Sequence, residues 1–334
     1  LAALRDAARR GGHPLAMWAD YFELSNRLGE ASPAEVEGFL ARWPGTYVED
    51  RARNDWLLEL GRRRDWNRFS QELPRFRMND DREVACYALL LRHQGGEDVT
   101  AAARAAWLAQ RDLDDGCALL ATTLTEARRL GPADAWAKAR AAIEVGRPRM
   151  ARQAVGLVTP AAAPLVNELF DNPQRFLTRH AEQTRALEPR VAAELWALAV
   201  LRLAASDPQA AASELSGAPP VTLGADGESW LWHAVAKQAA MKLQPQADDW
   251  FARAGANPRA RAELPDDMLA WKVRAALRGQ PSPARWQRVL QAVDAMSAET
   301  RRADPAWTYW KGRAQLALAA PGEASCAGAG LPCV

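Results

Sequence analysis

The stretch over residues 13–66 constrains the chain most. It opens HPLAMWADYFELSNRL, continues AEVEGFLARWPGTYVEDRARNDWLLELGRR and closes RRDW. Apolar residues recur there at the helical period, interrupted by tight breaks. Leu15, Trp18 and Phe22 make one stripe, and Tyr21, Leu24 and Leu28 make the next one round. Ser32 offers an N-cap, with Pro33 in the first turn behind it. Val36, Phe39 and Leu40 line the buried face of that second helix, and Pro44-Gly45 stops it. Ala52, Trp56 and Leu60 share a third stripe, with Leu57 beside it. Gly61 and the arginines after it are expected to close this helix, a composition suited to a C-terminus. Asp65-Trp66 starts a fourth. Helices this short cannot bury a stripe alone. Each needs a neighbour before and after it, and a helical solenoid supplies both.

The rhythm continues downstream. Asp80 or Asp81 can cap a helix carrying Val84, Tyr87, Ala88 and Leu91, broken by Gly95-Gly96. Val99, Ala103, Ala106 and Trp107 follow, then Leu119, Leu120 and Leu124, then Trp136, Ala139 and Ile143 before Gly146. In the second half Leu187, Val191, Leu195 and Leu198 share a face, with Trp196, Val200 and Leu203 beside it. A face that wide predicts a helix buried from two sides. The fold class is therefore all-α, a superhelical solenoid of short helix pairs. No strict repeat period emerges, and the tetratricopeptide consensus does not fall in register. The helical array is expected over residues 1–318. The loop at 217–227, with Pro219-Pro220, is where a sub-domain seam would fall. Residues 319–334, APGEASCAGAGLPCV after Ala319, read as a disordered or non-native tail.

Composition excludes several classes. The 43 basic and 41 acidic residues leave a formal charge of +2, so there is no global cationic field for nucleic acid. The longest apolar run, residues 195–201, is too short for a membrane span. Fourteen tryptophans accompany only four tyrosines. Trp18, Trp56, Trp107, Trp136 and Trp196 all sit on apolar stripes and are expected in the core, not as sugar-stacking platforms. Trp230 and Trp232 flank Leu231, so one of the pair is expected at the surface or at a contact between layers. Cys86 and Cys117 read as small apolar fillers within helices. The pairing of Cys326 with Cys333 is left open.

An ordered set of residues resembles one family. His13, Pro14 and Leu15 open a helix. Phe39, Leu40, Trp43 and Pro44 end another, and Trp56, Leu57, Leu60 and Trp66 form a spaced set after it. Far downstream come Trp271, Arg274 and Ala275, then Trp286, then Trp307, Tyr309, Trp310 and Arg313. This order and spacing are similar to those of the soluble lytic murein transglycosylases. The resemblance implies a U-shaped or ring-like helical domain in the periplasm. The whole enzyme would cleave peptidoglycan glycan strands without water, giving 1,6-anhydromuropeptides. The implied role for this portion is a non-catalytic scaffold that guides peptidoglycan and docks cell-wall enzymes such as penicillin-binding proteins. In that family the chain would continue past residue 318 into further helices and the catalytic domain. The chain begins at Leu1, consistent with either a removed signal segment or a start inside a longer gene.

The residues that would carry the family's chemistry are not found. The reaction needs one glutamate with a raised pKa, in a Glu-Ser motif followed by a Gly-Leu-Met-Gln segment. Glu228-Ser229 is the only Glu-Ser pair, and WLWH follows it. Glu228 is therefore expected in a helix's first turn, where a negative charge is favourable. His13, His93, His180 and His233 lack metal-ligand spacing, and neither Cys86 nor Cys117 belongs to a CxxC. No phosphate-cradling glycine motif occurs. Catalytic, cofactor and metal residues are accordingly assigned as none. The runs Arg62, Arg63, Arg64 and Arg301, Arg302 read as solvated helix ends. An alternative of another class is a free-standing helical-repeat adaptor that binds proteins. A third reading is a regulator that mimics the helical half of such an enzyme.

Overall fold

The computed structural model describes residues 1–217, 221–261, 263–280 and 282–319. All regular structure among them is helical, and the chain divides into two compact units. The first unit comprises Leu1–Ala141 and Arg149–Pro160; the second comprises Ala142–Pro148 and the chain from Ala161 onward. The expected tail, from residue 320 on, lies outside the described residues, and so does the pairing of Cys326 and Cys333.

The first unit is built from α1 (Ala2–Arg10), α2 (Ala16–Asn26), α3 (Pro33–Arg42), α4 (Tyr47–Arg63), α5 (Trp66–Glu72), α6 (Arg82–Gln94), α7 (Thr100–Ala109), α8 (Asp115–Glu126), most of α9 (Pro132–Glu144) and α10 (Pro148–Val158). Local signals place the starts. Ser32 caps α3 in a full capping box with Glu35, and Pro33 occupies the first turn. Thr46, Asp65, Asp81 and Asp114 cap α4, α5, α6 and α8 through side-chain acceptors. Gly45 and Gly146 lie in the left-handed region, which is why those breaks hold glycine. Alternate helices stack: α2 on α4, α4 on α6, α6 on α8, with the short α3, α5 and α7 set beside them. The core gathers Tyr21, Leu24, Val36, Phe39, Trp56, Leu57, Leu60, Phe69 and Tyr87.

The second unit holds α11 (Leu165–Asp171), α12 (Pro173–Thr184), α13 (Pro189–Ser206), α14 (Pro208–Ser216), α15 (Ala225–Met241), α16 (Ala247–Ala254), α17 (Asp266–Arg278), α18 (Pro283–Ala295), α19 (Ala298–Ala303) and α20 (Pro305–Leu318). Here too α13 packs on α15, α15 on α17, and α18 on α20. The i to i+2 stacking in both units is the packing rule of a helix-pair solenoid. α13 is buried from two sides as its wide face predicts: Leu195, Trp196, Leu198, Val200, Leu201 and Leu203 are all enclosed. The helices on either side of the 217–227 stretch, α14 and α15, both belong to this unit.

Three expectations are corrected. Cys86 and Cys117 are not separate fillers: a disulfide joins them, with Cα atoms 4.9 Å apart across 31 residues. Gly61 does not end α4; it is buried inside it, and a Cβ there would overlap the Tyr87 ring. The left-handed cap falls on Arg64. Finally, the Leu15–Trp18–Phe22 stripe meets the core only through Trp18, which packs against it. Leu15 is 56% and Phe22 54% exposed, and Trp18 is half-buried. The buried stripe of α2 runs through Ala16, Asp20 and Leu24, with Tyr21 beside it. An aspartate at its centre hides that stripe from any reading based on hydrophobicity.

Candidate functional site

Most of the apolar residues that carry the family resemblance are packing residues, whereas His13, Pro14, Leu15 and Tyr309 are exposed. In the first unit Phe39, Leu40, Trp56, Leu57 and Leu60 are buried in one cluster. Trp43 Nε1 donates to Asp20 Oδ2 at 2.9 Å, and Arg42 Nη1 donates to the same oxygen at 2.9 Å. Arg9 reaches Asp20 Oδ1 at 2.5 Å. Burial works against the Asp20 charge, and the donors from Arg9, Trp43 and Arg42 outweigh it, so the carboxyl is held below its ordinary range. In the second unit the Arg274 guanidinium lies 4.9 Å from the Trp271 ring and 5.5 Å from the Trp307 ring. Trp286 lies under Arg285, and Tyr309 meets Trp310 edge-on. Of the pair around Leu231, Trp232 is buried and Trp230 is half-buried.

The residues weighed for chemistry are dispersed. Glu228 is exposed in the first turn of α15, and Ser229 Oγ donates to the Ala254 carbonyl at 2.8 Å. His13 is exposed and accepts from the Leu15 N–H. His180 and His233 are buried in the second unit. The Nε2 of His180 lies 2.8 Å from the Ala192 carbonyl, and the Nδ1 of His233 lies 2.8 Å from the Ser229 carbonyl. Burial lowers both pKa values, that of His233 to about 4. Among the described residues no three His, Cys, Asp or Glu side chains come together as a metal site would need. Nor is any helix among them long and apolar enough to cross a membrane.

Two features of the first unit do concentrate function-grade geometry. One is the junction of α4, α6 and α8. The Tyr87 ring lies against Gly61 of α4 and 3.2 Å from where a Cβ would sit on Gly116 of α8. Its hydroxyl donates to Asp115 Oδ2 at 2.6 Å, and Arg64 donates to both Asp115 oxygens. Glu83 Oε1 accepts the N–H groups of Asp115 and Gly116, both at 3.1 Å, so it caps α8. The disulfide is formed by the residues next in sequence to Tyr87 and Gly116. Arg62 and Arg63 are bound to Glu59, so these arginines form an ion-pair network and not merely a solvated end. Beside the junction lies a groove of about 400 Å³ lined by Asp55, Glu59, Glu83, Asp115, Arg62 and Ser25, among others. Burial raises the Glu83 pKa. This is not an isolated acid awaiting a substrate: one of its oxygens already accepts two backbone N–H groups, and three further carboxylates line the groove.

The other feature is the stripe that the sequence placed in the core. Trp18 stacks on Phe22 at 5.8 Å and 30°, and meets Tyr47 at 6.0 Å and 39°. Tyr47 is 59% exposed. The Phe22 and Tyr47 ring planes thus lie within 39° of the Trp18 plane, and the three rings form an aromatic pavement whose Phe22 and Tyr47 members are exposed.

The fold places the chain among all-helical arrays of short stacked pairs. No known protein-family model matches it, and no curated protein does. Among solved structures it is similar to an inactive mutant of the lytic transglycosylase Slt from Pseudomonas aeruginosa, at 21% identity and a TM-score of 0.55, over 95% of this chain and 50% of that one. It is also similar to the 70-kDa soluble lytic transglycosylase in complex with bulgecin A, at 18% identity and a TM-score of 0.51, over 97% of this chain and 52% of that one. These likenesses are of fold. The chain spans about half the length of the proteins it resembles.

Proposed function

We propose that this chain is the non-catalytic helical scaffold of a periplasmic lytic murein transglycosylase. Its work would be to hold and guide peptidoglycan strands and to dock partner cell-wall enzymes, with the bond-breaking glutamate supplied elsewhere. The observation that carries this reading is the helical likeness over nearly the whole of this chain to one half of such enzymes. Two features of the chain support it. The Cys86–Cys117 disulfide suits an oxidising compartment outside the cytoplasm. The pavement of Trp18, Phe22 and Tyr47 suits pyranose rings, which have an apolar face that stacks on aromatic carbons.

The test is retention of the purified chain on insoluble sacculi, with and without 0.5 M salt, where the Debye length falls to roughly 4 Å and weak charge contacts are screened. Retention should survive salt and should fall about tenfold in Phe22→Ala/Tyr47→Ala, a loss of about 1.4 kcal/mol. No retention at either salt concentration would remove the peptidoglycan role and leave the adaptor reading. Release of anhydromuropeptides by the chain alone would overturn its assignment as non-catalytic.

A further inference from the structure

We propose that α1 is a charge-latched strap that lifts off α2 while the rest of its unit stays folded, and that lifting uncovers a carboxylate held ready on α2. The two helices pack against each other, yet none of the nine residues of α1 is buried. The leucines at its start are turned outward, Leu1 59% and Leu4 62% exposed. Burial of apolar surface therefore contributes little to its attachment. Charge supplies the rest. Arg5 Nη1 lies 2.9 Å from Glu23 Oε2, and Arg9 Nε lies 2.5 Å from Asp20 Oδ1. Arg5 and Arg9 are one helical turn apart, so both reach one face of α2. A helix of nine residues is marginal alone in water, so lifting and unwinding go together.

The hinge and the surface beneath it are both ready for this. Gly11 and Gly12 follow α1 directly. Gly12 sits at φ 55°, in the left-handed region that glycine adopts freely, and a Cβ there would meet nothing within 4 Å. Beneath the strap, Asp20 and Glu23 are held without it. Arg42 and Trp43 both donate to Asp20 Oδ2, and Arg27 donates to Glu23. Tyr21 and Leu24 of the same helix are anchored in the core of the unit. Lifting α1 takes Arg9 from Asp20 and Arg5 from Glu23, and leaves those other bonds in place. The Asp20 side chain is wholly enclosed with the strap down. With the strap up, its Oδ1 faces solvent from a fixed position. The open form thus offers a positioned acceptor for a cationic group, a place that Arg9 fills in the closed form.

The experiment is hydrogen exchange and carbodiimide labelling of carboxylates on the full chain at 0.05 M and 0.5 M salt, between which the Debye length falls from about 14 Å to about 4 Å. The higher salt should speed exchange of the α1 amides about tenfold, the effect of weakening two ion pairs worth about 1.4 kcal/mol together. Exchange in α6 should not change. Labelling of Asp20, normalised to the exposed Glu37, should rise by a similar factor. At the lower salt, Arg5→Gln/Arg9→Gln should reproduce both changes, whereas Arg5→Lys/Arg9→Lys should keep most of the protection because it keeps the charges. Exchange of α1 that ignores salt in the unmodified chain overturns the proposal. So does loosening of α1 and α6 together, which is unfolding of the unit and not the lifting of a strap. So does faster α1 exchange with Asp20 labelling unchanged, since the carboxylate is then not uncovered. All three of those results come from the unmodified chain, so a variant that fails to fold does not blunt the test.

Discussion

Helices α4 and α13 do the same architectural job in different materials. Each is the longest helix of its unit, with 17 residues in α4 and 18 in α13. The buried residues of α13 are all apolar, from Val191 to Ala204. Those of α4 include Asp50, Arg53, Asn54 and Glu59. Asp50 accepts the backbone N–H groups of Arg77 at 3.0 Å and Met78 at 2.8 Å, and Arg53 reaches Glu49, Asp50 and Glu72. The α13 neighbourhood is held by burial, which is non-directional. The α4 neighbourhood is held by paired donors and acceptors, which fix one arrangement and are costly to leave half-made. The lesson is that one fold rule, alternate helices stacking, tolerates both an oily and an ionic seam.

The comparison breaks most sharply on truncation. Trp196→Ala should cost about 4 kcal/mol, the range for a large buried aromatic, with little dependence on salt. Denaturant unfolding at low and high ionic strength checks both points. Asp50→Ala should cost about 3 kcal/mol, because it leaves the N–H groups of Arg77 and Met78 without their acceptor, while Arg53 keeps Glu49 and Glu72. Asp50→Asn should recover part of that loss. Hydrogen exchange should place the loosening in α4 and in the Arg77–Met78 segment before α6, and leave α13 protected.

Next in size is the covalent tie. Cys86→Ser/Cys117→Ser removes a crosslink closing 31 residues, with an expected loss of about 3 kcal/mol. Because both cysteines lie in the first unit, exchange should rise across α6 and α8 and not in α15 or α17. A reductant should mimic the double variant. Equal loosening of both units would mean they do not melt as separate bodies.

The smallest effect expected is the pH response of the second unit. His233 is buried neutral, with a pKa lowered by burial to about 4, below the ordinary value of an unfolded histidine. The unfolded chain therefore binds the proton more readily than the fold does. Its contribution is intact above about pH 6.5 and drains away as pH falls towards 4, reaching a loss of about 2 kcal/mol by pH 5. His233→Phe should flatten that part of the profile, whatever it does to stability at pH 7. Melting at pH 7 and pH 5 for the two chains provides the measurement. A profile unchanged by the substitution would show that His233 does not set it.

The helices and most of the core could be read from the residues because their causes are local. Ser32, Asp81 and Pro33 act within one turn, and Trp56, Trp107, Trp136 and Trp196, each placed on an apolar stripe, are all buried. The aromatic pavement escapes the helical periodicity for a related reason. Leu15, Trp18 and Phe22 have the spacing of a buried stripe, yet α2 turns the face with Asp20 inward, because Arg9, Arg42 and Trp43 are there to receive it. The periodicity of a helix reports a face, and only the partners decide which face is enclosed.

What the sequence determined by itself was the kind of object: short capped helices that must stack to bury their stripes. What the tertiary structure decided was pairing over distance. Cys86 finds Cys117, Tyr87 settles against Gly61 beside Asp115, and Arg274 lies over both Trp271 and Trp307. The reason is range. Caps and periodicity are written within a few residues, whereas a crosslink or a buried ion pair depends on which of many compatible groups the packing brings within a few ångströms.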